Sequence, residues 1–298
     1  MDTSADIREF LTSRRARRTP AEAGLPDFGG RRRVPGLRRE EVALLAGMSV
    51  EYYVRLERGN AKGVSESVLD GISRALDLDD AERSHLYDLV RAANDGAHPR
   101  RRRGPSRAEK VPQSVQQLLD AMRDVPAFVQ NGRLDLLATN ALGRAVFSEL
   151  YVQPQRPANF GRFVFLEPRA LDFYRDWDEA AAQTVALLRS EAGRSPHDRV
   201  LSDLVGELSV KNETFRALWA SHDVRQHSTG IKSITHPVVG DLDLNYEAMA
   251  LASSPGLQLI AYSAPPTSTT ADALTMLASW SVTHRETATT TAEPREGP

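Results

Sequence analysis

"LRREEVALLAGMSVEYYVRLERG", residues 37–59, sets two short amphipathic runs on either side of a single glycine, Gly47. The first run, from about Arg38 to Ala46, turns Val42 and Leu45 inward and keeps a small residue, Ala43, where a following helix would cross. Gly47 supplies the left-handed backbone that stops a helix sharply. Ser49 is placed to cap a second helix by accepting from one of its orphaned backbone N–H groups. In that second helix Tyr53 and Leu56, three residues apart, point inward. Val50, Glu51 and Arg55 are left on the outside. Two helices locked across a tight corner hold the second one proud of the surface.

The same 3.6-residue periodicity continues on both sides. Ile7, Phe10 and Leu11 mark a first helix that ends near Arg18, before Thr19-Pro20. A loop rich in Gly and Pro separates it from the opening pair. A fourth helix is expected over about 65–76. A fifth opens at Asp79, with Glu82 able to reach back in a capping box, and runs to about Ala93. Five short helices make residues 1–93 an all-α domain of helix-turn-helix type, whose second helix of the pair enters the major groove of DNA. The outward residues suit that task. Arg55 is expected to pair with guanine, Glu51 to accept from cytosine N4, and Val50 to touch a thymine methyl. Ser49, Tyr52 and Arg58 are expected at phosphates, as are Arg38 and Arg39 and the run Arg31, Arg32, Arg33. An αα-hairpin with charged outer faces would share those charges, but it would not require Ala, Gly, Tyr and Leu at these offsets. The stretch "VPGLRREEVALLAGMSVEYYVRLERG" resembles the xenobiotic-response-element (Cro/repressor-type) helix-turn-helix family, and the resemblance extends over about residues 7–93.

Composition sets the frame for the rest. At 298 residues the chain has room for two domains of ordinary size. Its 41% hydrophobic and 26% charged residues are those of a soluble globular protein. No apolar run approaches membrane-spanning length, and the opening MDTSADIREF lacks the basic and apolar regions of a secretory signal. With no cysteine, disulfides, thiolate chemistry and Cys-based zinc sites are excluded. A cytoplasmic, nucleoid-associated protein is expected. Residues 1–110 carry 22 Lys and Arg against 18 Asp and Glu, and the remainder 16 against 22, so only the front is suited to a polyanion.

Residues 94–111, with four consecutive arginines at 100–103, are read as an Arg-rich linker. Beyond it a helix (about 113–123) leads to a hairpin of PAFVQN and RLDLLATN turning at Asn131-Gly132. A helix opened by Asn140 follows, then a long helical stretch over about 169–191 and two further helices near 197–208 and 213–221. Antiparallel strands are expected in VRQHSTGIKSITHPVVGDLDLNYEAMAL and LQLIAYSA, with a last helix over about 269–281. Residues 112–282 are thus an α+β domain, and 283–298 a disordered tail. The fold class is α+β overall.

The stretches FRALWASHDVRQHSTGIKSITHPVVGDLDLNYEAMAL, residues 215–251, and PAFVQNGRLDLLATNALGRAVF, residues 126–147, resemble the ligand-binding domain of the MmyB-like transcription regulators. That resemblance implies a PAS-like fold with an apolar pocket, similar to one holding a fatty-acyl chain. Phe128, Leu136, Phe147, Phe163, Phe215 and Trp219 are the candidate lining, although aromatics at such spacing equally suit a plain core. Arg225 or Lys232 would neutralise a carboxylate at the mouth. His222, Asp223, His227 and His236 lack the even spacing of a metal site, so no metal and no cofactor is expected. No nucleophile elbow, phosphate-cradling loop or dinucleotide fingerprint is present, which argues against an enzyme. The expected partners are double-stranded DNA, a small apolar ligand such as a fatty acid, and a second copy of the chain, because one helix-turn-helix reads only a few base pairs. The competing reading gives the second domain a dimerisation or protein-docking role with no ligand.

Overall fold

The computed structural model describes residues 2–26, 34–95, 110–152, 157–224 and 228–290. Its first five helices are α1 (Thr3–Arg17), α2 (Arg39–Ala46), α3 (Val50–Glu57), α4 (Glu66–Leu76) and α5 (Asp80–Asp95). Their starts follow from the local sequence. Asp2 caps α1 by accepting from Ser4 N at 3.0 Å, and Asp79 and Glu82 exchange the two bonds of a capping box at 2.8 and 3.2 Å. One apolar core gathers Ile7, Phe10, Leu11, Val42, Tyr53, Leu56, Ile72 and Leu86. On α2 it is Val42 and Ala43 that are fully buried, while Leu45 is half-buried and Leu44 faces solvent. The reason lies on α4, where a Cβ at Gly71 would stand 2.7 Å from the Ala46 carbonyl oxygen. Two backbones that close leave space only for small residues.

The later elements are α6 (Gln113–Ala121), β1 (Ala127–Asn131), β2 (Leu136–Thr139), α7 (Ala141–Val146), a 3₁₀ turn over Ser148–Val152, α8 (Phe160–Leu166), α9 (Ala170–Phe173), α10 (Trp177–Arg194), α11 (Arg199–Lys211), α12 (Glu213–Ala220), β3 (Thr229–His236), β4 (Gly240–Ala250), β5 (Leu257–Ser263) and α13 (Thr269–Thr290). The strands form one antiparallel sheet in the order β2-β1-β5-β4-β3, with α7 to α12 inserted between β2 and β3. The chain is α+β, with a helical N-terminal region and this sheet in its C-terminal part, as its sequence implies. Strand alternation gives the sheet two faces. Ala127, Val129, Leu257 and Leu259 pack with Val115 and Leu119 of α6, whereas Phe128, Leu244, Tyr246, Ile260 and Tyr262 fall on the opposite side.

Asn140 fixes the start of this sheet. It is 2% exposed. Its amide donates to Met122 O and Val125 O, both at 2.6 Å, and its oxygen accepts from Ala127 N and Gly143 N at 3.1 and 2.7 Å. One side chain thereby ties the end of α6, the first strand and the opening of α7, and all its bonding capacity is used.

Three sequence expectations change. The β1–β2 turn is not closed by Asn131-Gly132 alone. The Asn131 side chain accepts from Arg133 N and Asp135 N, each at 3.0 Å, and Leu134 takes the left-handed conformation at φ +66. The helical stretch over 169–191 is broken, because Tyr174 bridges to Ile234 and Arg175 N donates to Ser233 O on β3. The segment from 283 to 290, read as the start of a disordered tail, continues α13, and 291–298 lie outside the described residues.

The chain packs as two compact units. The first comprises Met1–Arg103 with Val185–Gln226, and the second Gly104–Thr184 with His227–Pro298. Residues 185–226, which lie within the domain read over 112–282, pack with the helical front, and Val224 sits in the same core as Phe10 and Tyr53. An amphipathic pattern marks which face of a helix is buried, not what buries it. Most of the Arg-rich linker, residues 96–109, lies outside the described residues.

Candidate functional site

The corner at Gly47 has the expected conformation, φ +70 and ψ +37, with its N–H closing on Ala43 O and Leu44 O. Ser49 Oγ then accepts from Tyr52 N at 3.1 Å and starts α3. Glu51 and Arg55 on α3 and Arg58, which caps its end, follow one another at i, i+4 and i+7 and are exposed, with Val50 39% exposed at the first turn. The Arg55 guanidinium lies over the Tyr52 ring, 4.7 Å from its centroid, which pre-orients it. Neither Arg55 nor Arg58 forms an ion pair among the described residues, so both charges remain for a polyanion. Arg38 makes only a loose contact with Glu40, at 3.6 Å.

Arg39 is differently employed. Its Nε pairs with Glu57, a carboxylate buried at the end of α3 with 1% exposure. Arg15 Nε of α1 holds the other oxygen at 2.6 Å, and the Tyr53 hydroxyl donates to that oxygen at 3.3 Å. Burial, together with the Glu57 charge, pushes the Tyr53 phenol well above its ordinary range, so it stays a neutral donor. This clamp joins α1, α2 and α3 and fixes the angle at which α3 is presented. Sequence reasoning missed Glu57 and Arg15. The only signal was a Glu four residues after the inward Tyr53, on the buried side of an otherwise charged helix. Arg31, Arg32 and Arg33 lie outside the described residues.

In the second unit, Phe128, Phe147 and Phe163 are each at most 2% exposed and join one aromatic cluster. Phe147 lies 5.4 Å from Phe128 and 5.1 Å from Tyr262, and Phe163 lies 5.4 Å from Phe173. Leu136 pairs with Gln130 on β1 and is buried. Phe215 and Trp219 stack at 5.7 Å on α12, which belongs to the first unit, so the six proposed lining residues do not form one cluster within a unit. Arg225 and His227 lie outside the described residues. Lys232 is brought to the aromatic cluster. Its ammonium donates to Gln183 Oε1 at 3.0 Å and stands 5.6 Å over the Tyr174 ring. Burial pushes its pKa down to about 8, partly offset by the charge of Glu179. A cation held that way gains from an added anion.

The two histidines among the described residues of the metal hypothesis are separately engaged. His236 Nε2 lies 3.0 Å from Ala145 O in the second unit, and His222 contacts Glu9 and Arg189 in the first. Among the described residues no cluster of metal-ligating side chains is present, and no helix is long and apolar enough to cross a membrane.

Residues 111–277 match the family described as the MmyB-like transcription regulator ligand binding domain, more than half of the chain. The chain belongs to the MmyB-like transcription regulators. Residues 6–86 match a helix-turn-helix domain, placing the DNA-binding region on α1 to α5. No curated protein matches the chain. An MmyB-like regulator is built from regulatory DNA-binding and ligand-binding domains, not enzymatic ones, and couples transcription to a ligand.

Proposed function

We propose that this MmyB-like regulator recognises a specific operator through α3 and adjusts that binding to a small apolar ligand bearing an anionic head. The observation that carries the DNA half is the exposed row Glu51, Arg55 and Arg58, held outward by the Gly47 corner and the Glu57 clamp. Val50, Glu51 and Arg55 read base edges in this proposal. Arg38, Ser49, Tyr52 and Arg58 hold phosphates, joined by the arginines at 31–33, while Arg39 acts chiefly by positioning α3. Two copies bind a palindromic site, which doubles the few base pairs one helix can read.

For the ligand half, support comes from the family and from Lys232, a cation set among Tyr174, Gln183 and aromatic side chains. An alkyl chain gains about 0.8 kcal/mol per buried methylene, and Lys232 supplies the charge for its carboxylate. The mutual ring contacts of Phe128, Phe147 and Tyr262 support the competing reading, an aromatic core with no ligand.

Selection from a random duplex library, followed by anisotropy titrations, tests the DNA half. Arg55→Ala is expected to cost about 1–3 kcal/mol and relax preference at one position. Arg38→Ala is expected to weaken all sequences alike. Unchanged affinity and preference in both variants overturns the reading. Mass spectrometry of a denaturing extract of the purified chain tests the ligand half, for which a co-purified aliphatic acid is the expected result.

A further inference from the structure

The sheet face that carries Lys232 also carries tyrosines. Gly230 of β3 pairs with Tyr246 of β4, and Tyr246 pairs with Tyr262 of β5. Lys232 lies two residues beyond Gly230, so Lys232, Tyr246 and Tyr262 share one face. Glycine is needed at 230, where a Cβ would stand 2.8 Å from the Tyr246 hydroxyl. Tyr174 follows α9, bridges to Ile234 on β3, and sets its ring 5.6 Å from the Lys232 ammonium. All of these residues belong to the second unit.

Tyr174 and Tyr262 are 5% and 3% exposed, and neither hydroxyl has a hydrogen-bond partner among the described residues. Burial holds both phenols neutral, and at Tyr262 the approach of Tyr174 and Tyr246 acts the same way. A buried hydroxyl without a partner costs free energy that phenylalanine in its place would not. The surrounding rings show that phenylalanine packs here. Phe128 and Phe147 stand 5.8 and 5.1 Å from Tyr262, and Phe163 and Phe173 stand 6.0 and 5.1 Å from Tyr174. A core that needed only volume has no use for the two oxygens.

The head of the proposed ligand does not account for both. Its carboxylate is held at Lys232 on β3, at the edge of the sheet, where Tyr174 stands beside it. Tyr262 is two strands further in, about 10 Å at the backbone. Its ring packs against Phe128 of β1, which is farther still from that edge. An alkyl chain running inward over the sheet from Lys232 passes Tyr262, and a hydrogen-bond partner there has to be carried by the chain itself.

We propose that Tyr262 is a specificity-determining residue whose phenol bonds to an oxygen on the ligand's chain, so that the ligand is a hydroxy- or oxo-substituted aliphatic acid. The proposal rests on the reading of Lys232 as the cation for the ligand's head. Calorimetric titration of the full chain tests it with octanoate, dodecanoate and hexadecanoate and with the monohydroxy and mono-oxo derivatives of each. At least one derivative is expected to bind the wild type about tenfold or more tightly than its parent acid. In Tyr262→Phe that advantage is expected to fall below about twofold, with the parent acids bound as in the wild type. Tyr174→Phe is expected to weaken parent and derivative alike and to leave the advantage in place.

The unliganded Tyr262→Phe chain is expected to melt at or above the wild-type temperature, because the substitution removes an unpaired hydroxyl. A lower melting temperature shows the phenol serving the fold and overturns the proposal. So does a wild-type chain that binds the parent acids as tightly as every derivative, and so does an advantage that survives Tyr262→Phe or is lost in Tyr174→Phe instead. A chain that binds none of the acids defeats the ligand reading, and the proposal with it.

Discussion

Glu57 shows how one buried side chain governs an exposed surface. It contacts no DNA in the proposed mode, yet it draws Arg15, Arg39 and Tyr53 onto the end of α3. Removing Glu57 costs at most about 3–5 kcal/mol, because Arg15, 13% exposed, loses its counter-charge where little water reaches it, while Arg39 stays half in solvent. Glu57→Ala is therefore expected to lower the urea midpoint sharply and to weaken DNA binding, whereas Arg55→Ala weakens binding with an unchanged midpoint. Equal midpoints for the two variants would deny Glu57 its clamping role. The buried histidines make a second residue-scale prediction. Burial first, then the nearby Arg189 and Arg14 charges, push His85 down to about 3 and His222 down to about 4 from an ordinary 6.5. The unfolded chain takes up these protons near pH 6.5, well before the folded one does. Stability is fully present above that pH and is lost as pH falls through 6.5 towards 4 and 3. Melting temperature measured from pH 7 to 4 is expected to fall less steeply in His222→Gln than in the wild type, and parallel slopes would exclude the histidine from the effect.

Elements in this protein are decided by glycine at two positions for opposite reasons. At Gly47 the backbone is left-handed at φ +70 and a Cβ would meet nothing within 4 Å, so Gly47→Ala costs only strain, about 1 kcal/mol. At Gly71 the conformation suits any residue, but a Cβ would press on Ala46 O at 2.7 Å and drive α2 from α4. Gly71→Ala is expected to cost about 1–3 kcal/mol and to weaken DNA binding as well, by displacing the helix that seats α3; thermal melts and anisotropy on both variants check the ranking. The first of these glycines was legible in the sequence, the second was not. Gly47 lies between two amphipathic runs, where its function is local. Gly71 matters only because a helix 25 residues earlier in the chain crosses it. The same division holds elsewhere. Ser49, the cap that Asn140 places on Gly143 N and the Asp79–Glu82 box were readable because each acts on its own neighbours. The Glu57 clamp, the break at Tyr174 and the burial of Arg189 depend on partners distant in sequence, and charged side chains carry no periodic signature of being inside.

At the scale of the whole molecule, affinity for DNA should depend on salt in a way that counts contacts. Each chain offers Arg38, loosely paired at the start of α2, and Arg58, with no ion pair among the described residues, at the end of α3. Every phosphate neutralised contributes about 0.9 to the slope of log affinity against log salt. Removing one such arginine from a monomeric complex lowers the slope by about 1, and from a two-fold complex by about 2, since the substitution is present in both chains. Titrations of wild type and Arg58→Ala on a selected duplex between 50 and 200 mM salt, together with the mass of the complex by light scattering, separate the cases. Two chains per duplex and a slope change near 2 are expected. The expectation of a palindrome rests on the small reach of α3: eight residues present few base-reading side chains, and a symmetric partner would double them without a new motif. A complex containing one chain, with a slope change near 1, would require base contacts from outside α3 and would move the search for specificity to the segment at 27–33.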